Sequence, residues 1–298
     1  MKHKKGNNVN GWLIVDKPQG MGSTQVVNFT RRLFNAKKNG HAGTLDPFAT
    51  GVLPIAFGEA TKLIDFVTDG EKEYEFTIRF GAETNTADCT GTIINSGGKI
   101  PSADNIIKIL PQFIGEISQT PPIYSAIKIN GHRAYNLARQ GKQVSIPERH
   151  VNIFDLQFLS LKNDCADFWA RCSKGTYVRS LGQDIARALD SFGHLSRLRR
   201  TKCGFFTISD TILLEKLKNI VYVERTLLPL ETSLRDIAVM AVSEVEASKL
   251  KQGQALSPKG REGNFAPSSV AVAVFNGVLI AIVRIEENRI SPIRVFNL

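Results

Sequence analysis

The chain has 298 residues, 42% hydrophobic and 22% charged, with a formal net charge of +10. That length allows one large domain, or a large and a small one, with a core able to hold a preorganised site. The longest apolar runs, 270–275 and 278–283, fall far short of the roughly 20 residues of a membrane span; with no apolar stretch behind the basic N-terminus, neither anchor nor signal peptide is expected, and the location expected is the cytoplasm.

Residues 12–15 read as a short apolar strand closed by the turn Asp16-Lys17-Pro18-Gln19-Gly20. Ser23 or Thr24 is the expected N-cap of a helix in which Val26, Val27, Thr30, Leu33 and Phe34 recur at helical spacing, until Asn39-Gly40 stops it. Glycines and prolines predict mostly loop over 40–54, and a conformationally specified loop is a common home for chemistry. Tyr74, Phe76, Ile78 and Phe80 alternate with Glu75, Thr77 and Arg79, the period-two pattern of a strand with one buried face. The polar, glycine-rich stretch 81–102 predicts a loop or a distorted hairpin, and 106–113 a short helix. Beyond Pro121-Pro122 come a strand-like run at 127–129 and a helix around 134–140.

Residues 151–161 and 167–172 read as strands. Ser180 followed by Gln183 has capping-box spacing. Leu181, Ile185, Ala188 and Leu189 form the apolar stripe of that helix, with Gly193 as its C-cap. Strands and helices mix without regular βαβ alternation, which favours an α+β fold. After Leu230 the character changes. A short helix at 242–253, a polar Gly/Pro stretch and a hairpin turning on Asn276-Gly277 make a second unit of about 60 residues. The expected domains are 1–238 and 239–298.

The basic excess favours a polyanionic partner, nucleic acid being the commonest, although a basic soluble protein has the same total. Placement says more. The run His194-Leu195-Ser196-Arg197-Leu198-Arg199-Arg200-Thr201-Lys202 is too dense for an ordinary helix face; Lys37, Lys38 and His41 form a second cluster and Lys2, Lys4 and Lys5 a third. All three would suit a phosphate backbone and predict salt-sensitive binding. Cys89, Cys165, Cys172 and Cys203 lie far apart without a C-x-x-C pair, which argues against a zinc site and a disulfide framework.

At His41-Ala42-Gly43-Thr44-Leu45-Asp46-Pro47-Phe48-Ala49-Thr50-Gly51-Val52-Leu53 the chain resembles the catalytic motif of the TruB family, the bacterial tRNA pseudouridine-55 synthases. Family-like stretches at 11–18, 72–74, 122–128, 175–181 and 194–200 keep the family's order. The resemblance covers roughly 11–206. It implies a mixed, mainly antiparallel sheet with flanking helices and an RNA-binding cleft, the pseudouridine synthase fold, plus a small β-rich PUA-like RNA-binding domain at the C-terminus. It implies an isomerase acting on the T-arm stem-loop of tRNA, as a monomer without an obligate protein partner, metal or organic cofactor.

Turning uridine into pseudouridine breaks the C1′–N1 bond, turns the base and makes a C1′–C5 bond, a proton leaving C5 on the way. One carboxylate nucleophile and a pocket that retains the free base suffice. By resemblance Asp46 is that nucleophile, attacking C1′ or C6 or assisting a glycal route. Taken alone, Asp46-Pro47 reads as a helix N-cap and first residue. Arg179 is the implied ion-pair partner of Asp46, with a surface arginine as the bland alternative. Tyr177 would contact the base and Tyr74 stack on it and help remove the C5 proton; both also fit as core aromatics. A uridine inside the T-loop must be extruded first. His41 is the implied filler of the vacated space, and Leu198 the apolar contact to the flipped base. Arg197, Arg199 and Arg200 are assigned to phosphates, Lys17 and Lys62 to the pocket or the RNA, and Asp88 to an RNA-facing loop.

Three rivals remain. A non-catalytic RNA-binding or RNA-folding protein would not need Asp46, Tyr74, Tyr177 and Arg179 together. A guide-RNA-dependent synthase of a ribonucleoprotein would carry longer basic extensions. A metal-dependent hydrolase using Asp46 lacks ligands at metal spacing.

Overall fold

A computed structural model describes residues 6–125, 146–259, 265 and 268–298, and the backbone of 128–129 and 132–133. The helix expected around 134–140, Ala126, Ile127 and the cluster Lys2, Lys4 and Lys5 lie outside these residues.

The apolar strand near the N-terminus is β1 (Gly11–Lys17), which extends through Asp16 and Lys17 where a turn was expected. It leads to α1 (Ser23–Leu33), whose N-cap is Gly22 rather than Ser23 or Thr24. Gly22 N–H donates to Gln25 Oε1 at 2.7 Å. Ser23 is engaged elsewhere, its hydroxyl donating to Leu45 O and accepting from Leu45 N–H, both at 2.8 Å. The expected loop over 40–54 shrinks, because β2 (Asn39–His41) and β3 (Thr50–Phe57) pair with each other at its two ends. β3 also pairs along β1. Apolar Val52, Leu53, Ile55 and Ala56 let β3 run through the core despite Gly51 and Pro54.

After α2 (Ile64–Asp69), β4 (Lys72–Phe80) shows the alternation read from its sequence. β5 (Ala82–Thr84) and β6 (Ile93–Ser96) make the distorted hairpin. α3 (Ala103–Ile109) and β7 (Gly115–Gln119) follow, then a small hairpin of β8 (Lys128–Ile129) and β9 (His132–Arg133). Next come β10 (Arg149–Lys162), β11 (Cys165–Cys172), α4 (Val178–Ala188) and β12 (Gly193–Cys203). The capping-box expectation fails: Tyr177 is the N-cap of α4, and the Ser180 hydroxyl donates to Thr120 O at 2.8 Å. Gly193 opens β12 instead of closing the helix; the chain reverses earlier, at Asp190, with φ +52°. The dense basic run is this strand, so its side chains alternate between two faces.

β13 (Phe206–Thr207), β14 (Ile212–Leu213) and α5 (Leu214–Leu217) complete the first part. The main sheet has the order β14-β1-β3-β12-β4-β11-β10-β7, with β2 on β3 and β13 on β12. Its pairs are antiparallel except β1 with β14 and β3 with β12. The architecture is α+β. The parallel meeting of β3 and β12 needs Gly51, whose φ is +101° and whose Cβ would stand 2.1 Å from Arg200 O; only glycine has room and conformational freedom there.

A second sheet has the order β15 (Ala238–Ala241), β16 (Ser269–Phe275), β17 (Val278–Glu286), β18 (Arg289–Val295). Asn276 and Gly277, at φ +47° and +78°, form the hairpin turn between β16 and β17, as the Asn-Gly pair demands. α6 (Glu244–Lys251) packs on this sheet and starts in a capping box between Ser243 and Glu246. Lys62 joins the two sheets, donating from Nζ to Val295 O at 2.7 Å. No helix among the described residues is long and apolar enough to cross a membrane.

Candidate active site

Between β2 and β3 the chain makes a tight loop, 42–49, with Asp46 near its apex. Ala42, Leu45, Phe48 and Ala49 are buried and anchor it from below. Its main chain is then gripped from three directions. The Ser23 hydroxyl brackets Leu45, Lys17 Nζ donates to Pro47 O at 3.3 Å, and Arg200 Nη2 donates to Gly43 O at 2.9 Å. No helix follows Pro47, so Asp46 is not a helix cap. Its carboxylate is free to face inward.

There Arg179 Nε stands 2.9 Å from Asp46 Oδ2. Arg179 is on the first turn of α4 and nearly fully buried. Its remaining donors are used on Thr86 O at 2.8 Å and Tyr124 O at 2.9 Å. Asp88 Oδ2 lies 3.9 Å from Arg179 Nη1. Asp88 is itself buried, accepting from Thr90 N–H, Thr90 Oγ1 and Thr86 Oγ1 on Oδ1. It therefore braces the loop behind Arg179 from a buried position, where a place on an RNA-facing loop was expected.

Asp46 and Arg179 line an open pocket of about 440 Å³ together with Lys72, Tyr74, Tyr177, Leu198 and Arg200. That volume falls within the usual range for small-ligand sites. Tyr74 on β4 lies in antiparallel register with Arg200 on β12 and Ala170 on β11. Leu198 and Arg200 share one face of β12, as strand periodicity requires. Tyr177 closes the opposite wall, its backbone N–H donating to Gln119 Oε1 at 2.7 Å.

Burial pushes the Asp46 carboxyl above the usual aspartate range, opposed by the Arg179 guanidinium and reinforced by Asp88. The side chain keeps 33% exposure through the pocket mouth, and that water limits the rise. Burial also lowers Lys17 to about 8, with Asp46 pulling the other way. Lys17 is wholly buried and donates to Pro18 O and Met21 O as well as Pro47 O, so it shapes the loop.

Several expected residues stand elsewhere. Arg200 is buried and bonds Val52 O and Gly43 O, which corrects its assignment to phosphate. Arg199 is held in a two-pronged pair with Asp16, at 3.1 and 2.7 Å, and the exposed Arg197 pairs with Glu75. Lys62 pairs with Glu59 and reaches the second sheet, away from the pocket. His41 is half-buried on β2 just ahead of the loop, outside the pocket wall. Sequence reasoning missed Lys72, which donates to Thr68 O and Gly70 O inside the pocket. The Lys72-Glu73-Tyr74 run carried that signal, since residues two apart on a strand share a face.

Two family models match the chain. The TruB family pseudouridylate synthase N-terminal domain matches residues 31–178, and the tRNA pseudouridylate synthase B C-terminal domain matches 179–236. A tRNA pseudouridine synthase B of Caulobacter vibrioides is 44% identical over 307 residues, covering 100% of this chain and 99% of its own. That of Bradyrhizobium diazoefficiens is 45% identical over 313 residues, covering 100% and 90%. The chain belongs to the TruB family. TruB enzymes are isomerases that convert uridine to pseudouridine, and this chain is one of them.

The TruB fold extends to more distant structures. A chain of a Cbf5-Nop10-Gar1 complex superposes with TM-score 0.73 at 23% identity, covering 96% of this chain and 84% of its own. A chain of an H/ACA RNP bound to a substrate RNA containing 2′-deoxyuridine gives 0.73 at 21% identity, with 100% and 92% covered. At such identity the likeness is one of fold.

Proposed function

We propose that this TruB member isomerises the T-loop uridine of tRNA to pseudouridine, with Asp46 as the nucleophile acting on a flipped-out base. The observation that carries the reading is the Asp46–Arg179 pair at 2.9 Å on the wall of a pocket lined by Tyr74, Tyr177 and Leu198. A cation buried behind the carboxylate orients it for attack. Tyr74, Tyr177 and Leu198 offer flat or apolar surface to a base that must detach and turn without escaping. Substrate choice rests on the relatives, whose names specify tRNA, at 44–45% identity over nearly the whole chain. His41 is assigned to the space the base leaves, the exposed Arg197 to the phosphate backbone, and 239–298 to RNA binding as a PUA-like domain. The enzyme works as a cytoplasmic monomer without a guide RNA.

Purified protein should form pseudouridine in a T-arm stem-loop with no other component, read by chemical mapping of the product. Product only after a guide RNA is added would move the reading to a ribonucleoprotein synthase; tight binding without product would make it a non-catalytic RNA-binding protein.

The pH profile provides a second expectation. Asp46 must be ionised to attack, and its pKa is raised above 3.8. The acid limb of kcat/KM should therefore fall at a pH above the ordinary aspartate value. The sign for stability is the reverse: ionising a carboxyl whose folded pKa is raised costs stability, so this contribution declines as pH rises through the folded pKa. An acid limb at or below the ordinary value would remove Asp46 as the titrating group.

A further inference from the structure

Arg200 is the pocket cation the proposed chemistry has not used. It is 1% exposed; its guanidinium donates to two carbonyls, Val52 O at 2.9 Å and Gly43 O at 2.9 Å, and lies within hydrogen-bonding reach of the Tyr74 side chain. Among the described residues no carboxylate pairs with it, whereas Arg179 has Asp46 and Arg199 has Asp16. A buried guanidinium with neutral partners is costly, and it favours the charged form of an acid beside it. What stands beside it is Tyr74, its register partner across β4 and β12. Lys72, on the same face two residues before Tyr74, is a second buried cation, and among the described residues no carboxylate forms an ion pair with it.

The reaction creates a need for such an anion. Once the C1′–C5 bond has formed, by whichever route, the adduct carries a hydrogen on C5 and none on N1. Completion requires a proton onto N1 and a proton off C5. Asp46 is taken up by the nucleophilic step. The Tyr74 phenol is neutral at rest, since burial raises its pKa against the lowering influence of Arg200. A neutral phenol cannot begin as a base; it must give its proton before taking one.

We propose that Arg200 is a positioning residue for a proton shuttle at Tyr74. The Tyr74 O–H gives its proton to N1 of the C5-bonded adduct and becomes a phenolate held beside the guanidinium. The phenolate then takes the C5 proton, the C5–H electrons restore the ring double bond, and the phenol is regenerated. Protons and charge balance without any group from solvent. The shuttle rests on the reading of this pocket as the synthase site with the base against Tyr74.

The test uses the full-length enzyme and a T-arm stem-loop with hydrogen or deuterium at C5 of the target uridine, in single-turnover reactions. Arg200→Gln should slow product formation by about 100-fold, the scale of losing one preorganised charge-stabilising donor. Its C5 deuterium isotope effect should exceed the wild-type value, while stem-loop affinity holds. Arg200→Lys, which keeps the charge, should recover part of the rate and give an isotope effect between the two. Arg200→Gln added to Tyr74→Phe should slow the reaction no further than Tyr74→Phe alone. A slower reaction with an unchanged isotope effect, or losses that multiply in the double variant, would overturn the shuttle and leave Arg200 a tether of the loop. If Arg200→Gln fails to fold in melting curves, Arg200→Lys decides alone: a raised isotope effect supports the shuttle and a wild-type value overturns it. Wild-type rate and isotope effect in Tyr74→Phe would instead refute the placement of the base against Tyr74.

Discussion

Asp46→Asn lowers the single-turnover rate of pseudouridine formation by at least about 10⁴-fold, the scale seen when a nucleophile is removed, while tRNA affinity changes little. The amide keeps the shape of the carboxylate and removes its nucleophilic charge. Folding should be nearly untouched, because two effects offset. The variant relieves a carboxylate that burial disfavours, and it leaves Arg179 with Asp88 at 3.9 Å and the carbonyls of Thr86 and Tyr124. Product mapping, filter binding and a melting curve on one preparation separate these effects. Full turnover by the variant would end the nucleophile assignment.

Arg179→Met is expected to damage both chemistry and stability. The guanidinium joins α4 to Asp46, to Thr86 between β5 and β6, and to Tyr124 after β7. Removing one member of a buried pair costs about 3–5 kcal/mol, and the lower end applies because water reaches Asp46 through the pocket. A loss near about 3 kcal/mol should appear in denaturant unfolding. Asp46 without its counter-ion has a still higher pKa, so the rate should fall by about 1,000-fold at neutral pH and recover partly as pH rises. A variant with wild-type stability and pH profile would show that the pair contributes to neither.

The strands of the main sheet and the Asn276-Gly277 hairpin were legible because alternation and turn chemistry are local signals. β4 reads from Tyr74, Phe76, Ile78 and Phe80 alone. The helix starts were not legible for the same reason. Ser23 and Ser180 look like caps until their oxygens are seen bonded to Leu45 and Thr120, residues distant in sequence. The arginine run showed the same limit. Charge density suggested a phosphate-binding surface, but a strand divides its residues between faces, and Arg200 lies inward while Arg197 lies outward. The family motif identified Asp46 and Arg179 as a pair, and their contact at 2.9 Å needed the fold to bring β3 and α4 together. The partners of Asp88 and Lys62 were not legible either, because partners are a tertiary property.

The loop that carries Asp46 is gripped almost wholly by its main chain: Leu45 by Ser23, Pro47 by Lys17 and Gly43 by Arg200. Selection on such a loop falls on the residues that reach in from outside and on the inward Leu45 and Phe48. Thr44 is exposed beside Asp46 and itself lines the pocket. A change at Ser23 or Lys17, whose side chains hold the loop's main chain, should therefore displace the carboxylate although both lie far from Asp46 along the chain.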